Sequence, residues 1–264
     1  MLKDSNLVAH YSKIENIEKI LKDKKVRFGP VANLNDPRES SLSWIDTGGI
    51  GHEFNYSAWR EAEDLKSSVL NKLRLFCGSG YSSDHNFDLN AVENQIYGKP
   101  RMWAQYAGDH TGFCILLDKE NFQSCVQKHV SEAKHLIHGK VQYTDSLSQL
   151  SGGILIEYGS NNQLENYLFE IINENFMLNS VYFKKDIDWE NESEIRWLLY
   201  SNSENDTLVE IDNSIKAVVL GYKFDNEKIE VVKEYCRILA CECYKISYEY
   251  QNYDLVKLYT PTKT

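Results

Sequence analysis

An α+β domain with a mainly antiparallel, split sheet and flanking helices is the fold class this chain predicts, and three observations predict it. Strand-like and helix-like segments are mixed without regular alternation, connections between neighbouring strand segments differ widely in length, and no G-x-G-x-x-G follows a strand. Only four prolines occur in 264 residues and no Gly/Ser/Pro-rich linker divides them, so one domain over residues 1–264 is expected.

In chain order, residues 7–12 read as a short strand. Ile14, Ile17, Ile20 and Leu21 then fall at helical spacing over residues 14–24, with Ser12 as the expected N-cap and Glu15 completing a capping box. Val26, Arg27 and Phe28 read as a second strand ended by Gly29-Pro30, and Asn33 to Pro37 as a turn. A polar helix is expected over 57–72, a strand over 73–77, a mobile loop over 78–90 and a short helix from Pro100 to Ala107. The continuous apolar run 112–117 has the character of a strand buried on both faces. Beyond it a helix over 121–133, an extended stretch over 140–143 and a long helix over 163–183 precede a strand over 192–200. Strands over 209–211 and 215–222, a helix over 225–237 capped by Asp225, and one or two strands within 244–259 complete the chain.

With 42% hydrophobic and 12% aromatic residues, wholesale disorder is excluded. The polar start, Met1 to Asn6, lacks the apolar core of a signal peptide, and no apolar run approaches the ~20 residues of a membrane span, so a soluble cytoplasmic protein is expected. Thirty-nine acidic against 29 basic residues give a net charge of -10, which argues against non-specific coating of nucleic acid but not against an enzyme that modifies it. The six cysteines are scattered through apolar segments. Cys241-x-Cys243 is one residue short of a zinc-knuckle gap, so reduced, buried thiols are expected rather than a metal site. P-loop and zincin motifs and internal repeats do not occur.

Four constellations carry chemistry. On a strand, His10 and Ser12 point one way and can grip the hydroxyls or amide of a small ligand; the structural alternative is a core-edge histidine beside a helix cap. Asp36, Arg38 and Glu39 follow a turn whose side chains can bond their own backbone, and they either finish that turn or line the mouth of a cleft. Trp103 and Tyr106 share a helical face, as core aromatics or as a stacking platform, ahead of Gly112, where a close approach is permitted. The most site-like is Glu192-x-Glu194-x-Arg196. These three are expected on one strand face, with Ile195 and Trp197 on the other. Two close carboxylates repel, and a carboxylate at a strand start can hold a sugar hydroxyl and stabilise positive charge on a ring carbon.

Taken in order, His10-Tyr11-Ser12, Asn35-Asp36-Pro37-Arg38-Glu39, Met102-Trp103-x-x-Tyr106-Ala107 with Gly112, and Glu192-x-Glu194-x-Arg196 resemble a large bacterial family of uncharacterised domains. Lys185, Trp189 and the strand ending at Gly221 match as well, and the resemblance spans about residues 7–222. That family in turn resembles the ADP-ribosyltransferases, whose split antiparallel sheet clamps NAD⁺. The resemblance implies that His10 and Ser12 hold the adenosine-side ribose and the nicotinamide amide, that Tyr106 stacks on nicotinamide, and that Glu194, with Glu192 as the alternative, acts on the nicotinamide ribose. Arg196 or Arg27 would meet the pyrophosphate. It implies NAD as co-substrate, no metal, an acceptor that is protein or nucleic acid, a role as toxin or phage-defence effector, and an antitoxin or other regulator as partner.

Two other readings stand beside this one. A ligand-sensing or partner-binding module requires both glutamates to be paired and no cleft joining them to His10. A metal-dependent hydrolase would use Asp36, Glu39, Glu192 and Glu194. Two spatial facts discriminate: whether His10, Tyr106 and Glu194 converge on one cleft, and which glutamate Arg196 neutralises, since pairing with Glu194 rather than Glu192 weakens the catalytic reading and strengthens the structural one.

Overall fold

Leu7–Ser12 (β1) alternates as expected, with Leu7, Ala9 and Tyr11 entering one apolar cluster and Val8 the other. It belongs to a computed structural model that describes residues 6–40, 45–46, 56–81, 92–130, 135–145, 154–155, 181–201, 207–211, 213–249 and 252–262. The remaining strands are Lys25–Pro30 (β2), Ile45–Asp46 (β3), Leu73–Ser79 (β4), Phe113–Asp118 (β5), His135–Lys140 (β6), Gln142–Thr144 (β7), Ile154–Leu155 (β8), Lys184–Asp186 (β9), Glu194–Tyr200 (β10), Thr207–Glu210 (β11), Ile215–Leu220 (β12), Glu242–Glu249 (β13) and Asn252–Tyr259 (β14). Among the described residues the helices are Pro37–Ser40 (α1), Tyr56–Lys72 (α2), Pro100–Tyr106 (α3), Lys119–Val130 (α4) and Ile229–Ile238 (α5). This is the expected α+β fold.

The main sheet runs β11-β2-β4-β1-β5-β12-β13-β14, with β10 also on β4 and β6 outside β10. Every pairing in it is antiparallel except β12 with β13, which α5 connects. The sheet divides at β4. One edge of β4 pairs with β10 along its whole length, from Ser79 opposite Glu194 to Leu73 opposite Tyr200. It also meets two other strands, β2 only at Arg74 and Leu75 and β1 only at Ser79, so β1 and β2 diverge from a shared neighbour. A fork of this kind leaves backbone groups without ladder partners, and such groups must bond elsewhere or be hydrated. His10 supplies one bond, its Nδ1 donating to the Cys77 carbonyl at 2.9 Å.

Each face of the sheet carries a core. Phe28, Phe76, Phe113, Phe122 and Trp197 pack on the side of α4, with Phe76–Phe122 and Phe122–Trp197 ring centroids 4.8 and 4.9 Å apart. Tyr11, Tyr97, Met102 and Trp103 pack on the side of α3. Trp103 is therefore a core residue, its indole donating to the Tyr97 carbonyl at 2.9 Å.

Behind Tyr106 the chain turns sharply. Gly108, Asp109 and His110 all take positive φ, a conformation that costs energy for the two side-chain-bearing residues. Gly112 then passes Ser12 so closely that a Cβ would lie 2.2 Å from the Ser12 carbonyl oxygen. This contact fixes the end of β1 beside the end of α3, which is how residues 10 and 106 come to share a cavity.

Four expectations are corrected. Residues 14–22 form a 3₁₀ turn and a wide π turn instead of a continuous α-helix, and no side-chain bond caps either. Ser12 stays in the β1 ladder opposite Phe113 and accepts from Asn16 Nδ2, so the capping box with Glu15 is not formed. The acidic strand begins at Glu194, because Ile187–Glu192 is a 3₁₀ helix capped by Asp186. Gly78 and Ser79 belong to β4, while the rest of the expected loop from 82 to 90 lies outside the described residues. So does most of the expected helix over 163–183.

Candidate functional site

Glu192 and Glu194 face the same way for a reason other than strand alternation. Ser193 between them is left-handed at φ 45°, turning the chain from the 3₁₀ helix into β10. Its carbonyl accepts from Gly80 N at 2.8 Å, so the turn is held by the end of β4. Strain of this kind persists only where the surroundings over-determine it, and it clusters at functional sites.

A chain of buried charges follows from that turn. Tyr106 donates its hydroxyl to Glu192 Oε1 at 2.6 Å, and Lys185 Nζ donates to Glu192 Oε2 at 2.7 Å and to Glu194 Oε2 at 3.2 Å. Arg196 Nη2 donates to Glu194 Oε2 at 2.8 Å and to Glu39 Oε2 at 3.1 Å, while Nη1 bonds the other Glu39 oxygen and the Tyr182 carbonyl. Arg196 thus neutralises Glu194 and Glu39, and does not touch Glu192. Its Nε has no partner among the described residues. Lys185 comes from β9, which pairs with β7, and Tyr143 of β7 accepts from the Glu194 backbone N–H at 2.8 Å.

Two adjoining cavities meet this network. The inner one, of about 260 Å³, is lined by His10, Glu39, Tyr106, Glu192, Glu194 and Arg196 among others. The outer one, of about 810 Å³, lies in the fork between β1 and β2 and is lined by Ser12, Lys13, Lys19, Lys25 and Arg27. His10, Tyr11, Asn33, Leu34 and Tyr106 belong to both walls, so the two spaces adjoin at that boundary. His10, Tyr106, Glu192, Glu194 and Arg196 are thereby brought together, with Ser12 and Arg27 in the neighbouring compartment.

The turn motif divides. Glu39 is buried in the network, whereas Asp36 accepts from the Arg38 backbone N–H to cap α1, and Arg38 pairs with Asp186 near the surface. Sequence reasoning gave Lys185 no role beyond a motif match. Its two glutamate partners lie seven and nine residues on, across a helical turn, where no single-element periodicity applies. Trp189 covers Lys185 from outside, its ring 4.7 Å from Nζ. Cys77 also lines the inner cavity, and burial pushes its thiol well above the ordinary range. All six cysteines are thiols.

The electrostatics set a pH response. Burial works to raise Glu194, but Arg196 and Lys185 outweigh it and hold the carboxyl down to about 2, against 4.5 for an unperturbed glutamate. Burial raises Glu39 in spite of Arg196, and burial lowers His10 from 6.5 in spite of its bond to the Cys77 carbonyl. A depressed folded-state value makes the unfolded chain bind more protons, so His10 costs stability as pH falls below 6.5 and Glu194 as pH falls from 4.5 towards 2. Glu39 acts oppositely, its contribution fading as pH rises through its elevated value. The urea midpoint is therefore expected to decline in two stages on acidification. His10→Gln should weaken the upper stage and leave the lower; an unchanged upper stage would contradict this assignment.

Fold and site together define an α+β protein with a buried ion network at the floor of a two-part cavity, opened by a fork in its sheet. Residues 102–197, from α3 through the first half of β10, match a family model described as a protein of unknown function, DUF2971. The matched span holds Tyr106, Lys185, Glu192, Glu194 and Arg196. No curated protein and no solved structure matches the chain. No helix among the described residues is long and apolar enough to cross a membrane.

Proposed function

We propose that this chain binds NAD⁺ across the two cavities and breaks the bond between nicotinamide and ribose, as an ADP-ribosyltransferase-like enzyme. The observation that carries the reading is the convergence of His10, Tyr106, Glu192 and Glu194 on one cavity that adjoins a second, lined by Lys13, Lys19, Lys25 and Arg27 together with Glu15 and Asp23. In this reading the nicotinamide riboside half lies in the inner space and the adenosine diphosphate half in the outer. There Arg27, with Lys13, Lys19 and Lys25, offers charge to the pyrophosphate. Arg196 is spent on Glu39, Glu194 and a carbonyl, so it acts by positioning Glu194.

Bond breaking develops positive charge on the ribose ring, and preorganised carboxylates lower the free energy of that state more than of the ground state. Glu194, held ionised far below neutral pH, is suited to an electrostatic role and unsuited to proton transfer. Among the described residues the Glu192 carboxylate accepts from Tyr106 and Lys185, which leaves lone pairs for the ribose 2′-hydroxyl. The setting this reading implies is bacterial, as a toxin or phage-defence effector acting on a protein or nucleic-acid acceptor and restrained by an antitoxin or other regulator.

A second reading, a ligand-sensing or partner-binding module without turnover, is favoured by two observations: both glutamates are paired, and Arg196 neutralises Glu194 rather than Glu192. The joined cavity counts against it, since that reading required none. Metal-dependent hydrolysis fits less well, because Lys185 and Arg196 occupy the space between the carboxylates and Asp36 serves as a helix cap.

Incubating the full chain with NAD⁺ and following free nicotinamide by chromatography tests the proposal, alongside calorimetric titration with NAD⁺. Saturable release is expected. Binding without release would favour the second reading, and neither binding nor release would overturn the NAD⁺ reading.

A further inference from the structure

Resting on the NAD⁺ reading above, we infer that Cys77 is a positioning residue that orients two groups of the inner cavity, His10 through its backbone carbonyl and Glu194 through its thiol. The fork of the sheet sets up the first contact. β4 meets β2 at Arg74 and Leu75 and β1 at Ser79, so Phe76, Cys77 and Gly78 have no ladder partner from either strand. A carbonyl left this way needs a donor from outside the ladder, and His10 Nδ1 supplies it to the Cys77 oxygen at 2.9 Å. A carbonyl only accepts, so the bond puts the imidazole proton on Nδ1. Burial disfavours a second proton and leaves Nε2 as a bare acceptor. The ring also lies against Phe76, with centroids 4.6 Å apart, which holds its plane.

The side chain makes the second contact. Cys77 stands opposite Arg196 in the β4–β10 ladder, and opposite residues of an antiparallel pair project to the same side, which is also the side of Glu194. Cys77 lines the inner cavity, as no other cysteine does, and its thiol donates to the Glu194 carboxylate. Burial and the neighbouring Glu194 charge keep that thiol protonated, so it is a standing donor.

Direction is what this contact adds. Lys185 from β9 and Arg196 from β10 both reach Glu194 at Oε2. Two donors on one oxygen leave the carboxyl room to turn about it, and a donor from β4 restrains that turn. Placement of this kind matters to chemistry, since a displacement of about 1 Å at the reacting groups can cost on the order of 10² in rate. A cysteine that only filled space would be replaced by alanine or by serine with similar effect.

The test uses the full chain, unaltered and as Cys77→Ala and Cys77→Ser. In Cys77→Ala kcat for nicotinamide release should fall about tenfold with KM little changed, the scale of one lost hydrogen bond to a charged group. Cys77→Ser keeps a donor and should recover most of that loss. The lower stage of the acid decline in urea midpoint ends at the folded-state value of Glu194, so it should shorten in Cys77→Ala and not in Cys77→Ser. Nitrogen-15 NMR of the unaltered chain at neutral pH should find the His10 proton on Nδ1. Equal turnover and equal acid stages in the two variants, or a His10 proton on Nε2, would overturn the inference and leave the NAD⁺ reading standing. No nicotinamide release from the unaltered chain would overturn both.

Discussion

Arg196→Met is expected to lower the unfolding free energy by about 3–5 kcal/mol, the range for stripping one partner from a buried ion pair. The guanidinium is fully buried, and Glu39 and Glu194 are 2% and 7% exposed, so neither carboxylate can turn to water when the cation is lost. Methionine restores much of the packed volume, which makes the loss mainly one of unpaired charge. Against a typical total stability of about 5–15 kcal/mol, the variant would be marginal at room temperature. Urea denaturation measures it. Because the damage is uncompensated charge, adding Glu39→Gln and Glu194→Gln to Arg196→Met should recover part of the stability, a non-additivity expected for groups in one network. A single-variant effect within about 0.5 kcal/mol, the range of ordinary surface substitutions, would show that the network does not hold this part of the fold.

That network was only half legible in the sequence. Period-two alternation correctly separated Glu194 and Arg196 from Ile195 and Trp197, and it set His10 and Ser12 on one side of β1. Alternation could not reveal that Glu192 reaches the same side through a left-handed Ser193, since a polar residue in a polar run carries no sign of positive φ. The apolar spacing of Ile14, Ile17, Ile20 and Leu21 indicated a helical segment, but i→i+3 and i→i+5 turns bury much the same residues as an α-helix, so the type was not readable. Ser12 looks like a cap until its backbone is found in the ladder with β5, a pairing set by a strand 101 residues away. Longer-range partners were beyond pattern reading altogether: Glu39 meets Arg196 across 157 residues, and β4 becomes the fork of the sheet only when β1, β2 and β10 have all docked on it. The short motifs therefore located the residues of the cavity, while the sheet topology decided which of them share a wall.

Glu192→Gln is expected to cut kcat for nicotinamide release by on the order of 10²–10³, the scale set by removing one preorganised group from a site of developing charge. Glutamine keeps the shape and one accepting oxygen, so the bond from Tyr106 or from Lys185 survives. Removing this charge also leaves two carboxylates, Glu39 and Glu194, against the two cations Lys185 and Arg196, while Lys99, whose ammonium Glu192 favours, keeps its bond to the Glu192 carbonyl. The urea midpoint and the calorimetric affinity for NAD⁺ should accordingly change little. Glu194→Gln differs, because it withdraws the anion on which both Arg196 and Lys185 converge, and turnover and stability should fall together. The contrast separates a group that meets the substrate from one that also holds the fold. Full turnover in Glu192→Gln would remove that residue from the chemistry and return the whole electrostatic burden to Glu194, whose pairing with two cations would then have to be loosened by the substrate before it could act.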